Sequence, residues 1–149
     1  METTLRDAGP SDRPLLLTLI RGLYDCEHIP FDAARVGAAL DDLMADPALG
    51  RAWIAEQGGV AVGYAVLTLG YSLEFGGRFA LLDELFVEER HRGAGVGRQV
   101  LDRIAETCRA LGLRALRLEV ERSNRVAREL YRKAGFETQD RDFLTLRLG

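Results

Sequence analysis

Three short stretches of the chain hold residue types able to do chemistry. The run Arg92-Gly93-Ala94-Gly95-Val96-Gly97 reads R-x-x-G-x-G and lies between an apolar strand pattern and an amphipathic helix pattern. A helix begins with N–H groups that lack intrahelical partners and carry the positive end of the macrodipole, so an anion is stabilised there. Glycines let the backbone approach that anion closely, and Arg92 adds a charge able to meet a phosphate with two parallel hydrogen bonds. The run, continued through Arg98, is therefore read as a pyrophosphate cradle. Two better-known phosphate motifs are excluded by spacing. A dinucleotide fingerprint would need a glycine where Arg98 or Val100 stands, and a P-loop needs a lysine that the chain, with Lys133 alone, does not have there.

The second stretch is Asp83-Glu84, set inside the apolar run Arg78 to Val87. Burying an unpaired carboxylate is costly, and a strand otherwise this apolar has no packing reason to hold two. Strict alternation would send them to opposite faces. Either could take a proton from a bound cation or hold its charge, with Glu84 slightly favoured as the base; the alternative is a carboxylate neutralised by a nearby arginine. The third stretch pairs Asn124 with Tyr131, seven residues apart and so on one face of a helix. A phenol stays neutral at pH 7 and can donate a proton, while Asn124 could equally cap its helix.

Other reactive types offer less. Cys108 falls on an apolar helix face, Cys26 lies among acids, and neither cysteine nor His28 or His91 has metal-ligand spacing, so no metal is expected.

The elements that must position these groups follow from periodicity. A short strand around Thr3 to Arg6 precedes a helix capped by Ser11 and Asp12 and running to about Cys26, with Leu16, Leu19, Ile20 and Leu23 as its core stripe. Phe31 to Ala45 reads as a second helix. Arg51 to Gln57 and Val60 to Thr68 form a hairpin about Gly58-Gly59, and Arg78 to Val87 is a central strand. Val96, Val100, Leu101, Ile104, Cys108 and Leu111 recur at helical spacing up to Gly112. A strand over Leu116 to Val120, a short helix from Ser123-Asn124 through Lys133, and a final antiparallel pair, Phe136 to Asp140 with Phe143 to Leu148, complete the chain. The expectation is a single α/β (α+β) domain over residues 1–149, with helices around a mixed, mostly antiparallel twisted sheet.

The 149 residues suit one soluble globular domain, and neither a membrane span nor a signal-peptide pattern is visible. With two cysteines far apart, reduced thiols and a cytoplasmic location are expected. The net charge of −3 hides an asymmetry: residues 1–89 hold six arginines against fifteen acids, and residues 90–149 hold fourteen basic residues against eight acids. The basic half suits an anionic ligand and the acidic half a cationic one, while a net acidic chain argues against nucleic acid.

LLDELFVEERHRGAGVGRQVLDRIAETCRALG followed by LEVERSNRVARELYRKAGFE resembles the core of the GNAT superfamily of acetyl-CoA-dependent N-acetyltransferases. The resemblance implies a sheet splayed at the strand ending in Phe86-Val87, which would pair with the pantetheine arm, and a pyrophosphate held at Arg92 to Gly97. A backbone N–H near Phe86 to Val87 would polarise the thioester carbonyl. It implies that Tyr131 protonates the departing thiolate, that Asn124 contacts the cofactor, and that the acidic strand residue serves as base, an acidic pair there being a feature of diamine-acetylating members. Asp25, Glu27 and Asp32, with Tyr71, Ser72 and Glu74, fall where family members shape the acceptor site. The expected function is acetyl transfer to a small cationic primary amine, a polyamine, diamine or basic amino acid, by a homodimer. The alternatives are a protein N-terminus or lysine as acceptor, or a non-catalytic acetyl-CoA sensor.

Overall fold

Gly58 and Gly59, both at positive φ (56° and 78°), close a two-residue turn that joins β2 (Gly50–Gln57) to β3 (Val60–Ser72). Most other residues would resist that pair of angles, and the turn sets the antiparallel register in which Trp53 faces Ala65 and Ile54 faces Tyr64. β3 then pairs antiparallel with β4 (Gly77–Val87), and β1 (Thr4–Asp7) adds to the other side of β2. β5 (Leu116–Leu118) pairs parallel to β4, which completes a five-stranded sheet of order β1-β2-β3-β4-β5. The mostly antiparallel mixed sheet is the one expected, although β3 runs four residues past Thr68.

The computed structural model describes residues 1–149, and its internal contacts divide the chain into two units, Met1–Glu119 and Val120–Gly149. In the first unit α1 (Arg13–Glu27) and α2 (Ala33–Ala45) cover one sheet face. Leu16, Leu19, Ile20 and Leu23 of α1 and Leu40 of α2 pack with Ala52, Ile54, Tyr64 and Val66, while the alternate residues Trp53, Ala55 and Ala65 are buried on the opposite face. α3 (Val96–Ala110) buries Val96, Val100, Leu101, Ile104 and Cys108, and packs against β1 and β4. Gly112, at φ 72°, ends it by turning the Leu113 N–H back to the Cys108 carbonyl at 3.0 Å. No helix is long and apolar enough to cross a membrane.

The second unit contains α4 (Arg125–Lys133), with Asn124 as its N-cap. The expected final strand pair is not formed: residues 136–149 are irregular, and Phe143, Leu144, Leu146 and Leu148 are exposed. Alternating apolar residues supply a face to a strand but not a hydrogen-bonding neighbour, and a lone two-stranded pair is marginal in water.

Candidate active site

The centre of β4 departs from regular pairing at the two acids. Val66 faces Glu84 and Leu67 faces Leu82, so Asp83 is the extra residue of a β-bulge, with no partner on β3. The alternation that would have set the two carboxylates on opposite faces assumed a regular strand and does not hold across this step. Asp83 instead interacts electrostatically with both Glu84 and Tyr24.

Glu84 is half-buried and has no cationic partner, which removes the reading of a carboxylate neutralised by an arginine. Its carboxylate accepts two hydrogen bonds, from the Tyr24 hydroxyl to Oε2 at 2.6 Å and from the Tyr64 hydroxyl to Oε1 at 2.8 Å. Burial raises the Glu84 pKa above the usual carboxylate value, the two phenols pull it down, and the like charges of Asp83 and Glu27 push it up again. Burial also raises the carboxyl of Asp83, although that residue is exposed on its outer side. Both tyrosines are held well above the ordinary phenol value, first by burial and then by the Glu84 charge, and so stay neutral donors.

Neither tyrosine belongs to a motif that the sequence displays. A signal was present, however: a tyrosine inside an apolar strand must find a partner for its hydroxyl, and the neighbouring strand holds carboxylates without an obvious one.

Beyond the bulge β4 parts from β5. Their pairing covers Ala80, Leu81 and Leu82, and β4 continues to Val87 past the end of β5 at Leu118. The Glu88 N–H donates to Val62 O at 2.9 Å, which makes Phe86 and Tyr64 the hydrogen-bonded pair and turns the N–H and C=O of Val87 to the diverging edge. Phe86 thus spends its backbone groups on β3. Its ring lies beneath α1, where a Cβ on Gly22 would stand 2.9 Å away.

The glycine run follows directly. After a short 3-10 turn at Glu89–His91, Gly93 and Gly95 take φ of 80° and 79°, and Gly95 caps α3. Nothing lies within 4 Å of a Cβ built on either, so the loop faces open space. Gly97 and Arg98 occupy the first turn of α3, whose N–H groups point out beside Ala94 and Val96. Arg92 donates through Nε to Val87 O at 2.8 Å, lies 5.4 Å over the Phe86 ring, and places a guanidinium nitrogen 3.7 Å from the exposed Cys26 Sγ. It therefore ties the loop to the end of β4.

The remaining candidates are scattered. Glu27 ends α1 close enough to Glu84 and Tyr24 to act on both. Asp25 is exposed one residue beyond Tyr24. Asp32 caps α2, accepting from the Ala34 and Arg35 N–H groups at 3.1 Å. Tyr71, Ser72 and Glu74 lie at the tip of the β3–β4 hairpin. Tyr71 faces Arg78, five residues from Asp83 and so about 16 Å along the strand at roughly 3.3 Å per residue. In the second unit Asn124 accepts from the Ala127 N–H at 3.1 Å, and Tyr131 packs edge-on against Phe136 at 5.8 Å.

Residues 17–136 match the profile of the acetyltransferase (GNAT) family. The chain belongs to that family. This GNAT protein is 29% identical over 141 residues to the thialysine N-epsilon-acetyltransferase of Bos taurus, covering 88% of this chain and 82% of the relative. It superposes with a TM-score of 0.86 on an integron cassette protein from the mobile metagenome of Cole Harbour salt marsh, 34% identical, covering 97% of this chain and 90% of the other. A Clostridium acetobutylicum protein solved with acetyl-CoA shares the fold at TM-score 0.81 and 21% identity, covering 97% of this chain and 96% of that one.

Membership makes this GNAT chain an acetyl-CoA-dependent N-acetyltransferase. Its residues fit that cofactor: the exposed glycine loop and the start of α3 suit a pyrophosphate, and the diverging edge at Val87 suits an amide-bearing arm.

Proposed function

We propose that the enzyme transfers acetyl from acetyl-CoA directly to a primary amine of a small cationic acceptor, such as a polyamine, a diamine or a basic amino acid. The observation that carries this reading is Glu84, half-buried next to Asp83, held by two phenol hydroxyls and in no ion pair. A half-buried carboxylate whose hydrogen bonds come from two neutral phenols keeps its negative charge available to an ammonium group. The name of the Bos taurus relative, which gives an ε-amine of thialysine as its acceptor, is in keeping with this.

An amine with a pKa near 10 arrives protonated and must lose a proton before its nitrogen can attack. Glu84 or Asp83, each with its pKa raised by burial, is suited to take that proton directly or through water. Bound acetyl-CoA supplies an activated acetyl thioester. Arg92, the backbone of Gly93 to Gly97 and the Arg98 N–H would hold its phosphates, and the Val87 N–H, turned to the diverging edge of β4, would polarise the thioester carbonyl. Tyr131, carried over from the family pattern with Asn124, would serve as the acid for the leaving thiolate. Two free cysteines agree with a reducing, cytoplasmic setting, and the exposed apolar residues from Phe143 to Leu148 agree with a homodimer.

The test is to mix the protein with acetyl-CoA and a panel of polyamines, diamines, basic and neutral amino acids and a short peptide, and to follow free thiol. Fastest thiol release with small cations is expected; acetyl-CoA binding without release from any amine would overturn the reading. With an accepted amine, Tyr131→Phe should lower kcat by about 10²-fold and leave the Kd for coenzyme A within roughly twofold. Equal turnover would remove Tyr131 from proton transfer.

A further inference from the structure

Resting on the proposed amine acetylation, we infer that Tyr24 and Tyr64 are positioning residues of the reaction, a pair of hydroxyls that hold Glu84 oriented and ionised for the acceptor amine. The geometry assigns one donor to each carboxylate oxygen, Tyr24 to Oε2 at 2.6 Å and Tyr64 to Oε1 at 2.8 Å. Two donors from two elements fix the plane of the carboxyl group, and each oxygen keeps a lone pair for a substrate proton.

The donors themselves are braced. Tyr24, on α1, meets the edge of Phe31 at 5.7 Å, and Tyr64, on β3, faces the Phe86 ring across the ladder at 6.3 Å. Tyr64 is 0% exposed, so it acts only through Glu84, whereas Tyr24 is half-buried. The charged and titratable groups around Glu84 are Tyr24 and Glu27 from α1, Tyr64 from β3 and Asp83 from β4 itself. Burial, Asp83 and Glu27 oppose ionisation, and the phenols are the groups that favour it. Replacing the phenols by an arginine would hold the carboxylate equally well but would fill the place of a cationic substrate. Neutral donors stabilise the negative charge and leave it available.

The inference predicts the sign of a pH effect. Removing either hydroxyl removes a hydrogen bond made to the charged form, so the Glu84 carboxyl titrates at higher pH. With an accepted amine, the acid limb of kcat/KM should move to higher pH in both Tyr24→Phe and Tyr64→Phe, and further in the double variant. A hydrogen bond to a charged group corresponds to about a tenfold loss of kcat/KM on the acid limb, against at most about twofold on the alkaline plateau. A purely structural role would lower activity at all pH values or lower the melting temperature alone. Titration of the Glu84 side-chain carbon by NMR of the ¹³C-glutamate protein reads the same quantity without turnover. The midpoint should rise in each Phe variant and fall in Asp83→Asn.

Unchanged midpoints and acid limbs in folded variants would overturn the inference. Tyr24→Phe keeps the question open to measurement if the sealed Tyr64 site does not tolerate change. A wild-type protein that acetylates no amine would overturn the function instead, and the carboxyl titration would then decide the clamp alone.

Discussion

Glu84 combines two properties that pull against each other, since a carboxylate useful to a cationic acceptor is one the fold holds at some cost. Its pKa is raised by burial and by Asp83 and Glu27, with the two tyrosines offsetting part of the rise. A carboxyl raised on folding adds stability that is complete below its unfolded pKa and is lost as pH rises through its folded one. Glu84→Gln removes the charge while its amide can still accept from one phenol and donate to the other. The melting temperature of the variant should therefore match wild type near about pH 4 and exceed it increasingly toward about pH 8, while kcat/KM for an accepted amine falls by about 10²-fold or more. Thermal melts across pH check the first part and initial rates the second. A variant less stable than wild type at alkaline pH would show that the charge itself holds the strand in place. Such opposition of stability and activity is common where a site needs a group that packing alone would not choose.

The turn from β4 into α3 carries the cofactor end of the site, and its demands are on backbone angles. Gly95 is at φ 79° with no atom within 4 Å of a built Cβ, so a side chain there has space but not a comfortable conformation. Gly95→Ala should cost roughly 1–2 kcal/mol of stability and weaken coenzyme A binding, and Gly95→Asn should cost less stability because asparagine tolerates the left-handed region better. Thermal melts and calorimetric titration with coenzyme A measure the two effects. Equal melting temperatures for Ala and Asn would mean that the angle is not what selects glycine.

This loop was legible in the sequence because its constraints are local: glycines at fixed spacing, a strand before and a helix after. The helix stripes of Leu16 to Leu23 and of Val96 to Cys108 were legible for the same reason. The bulge at Asp83 was not, because it arises from how β3 and β4 align, and the phenol clamp joins residues 60 and 20 positions from Glu84. Asp32 illustrates the converse. The family resemblance set it at the acceptor site, and its carboxylate satisfies the first N–H groups of α2. The final strands failed on the same ground as the bulge, since an alternating pattern does not encode the partner edge.

Across the whole molecule, charge separates the two expected ligands. Acids dominate up to residue 89, and from Arg90 onward basic residues outnumber them. Within the first unit Glu84 accepts its hydrogen bonds from two neutral phenols and feels the like charges of Asp83 and Glu27, whereas the loop after β4 begins with Arg92. Opposite fields at the two places raise the local concentration of a cationic amine at one and of an anionic cofactor at the other. Both effects weaken as the Debye length shrinks from about 10 Å at 0.1 M salt toward about 3 Å at 1 M. The KM for a polyamine should therefore rise on the order of several-fold between about 50 mM and 500 mM sodium chloride, and the Kd for coenzyme A should rise with it. A primary monoamine should show a shallower rise over the same range, because it meets the acids with one positive charge and not several. Initial rates at saturating acetyl-CoA isolate the acceptor term. If the polyamine and the monoamine responded alike, the acids around Glu84 would be acting on the proton and not on the capture of further positive charge.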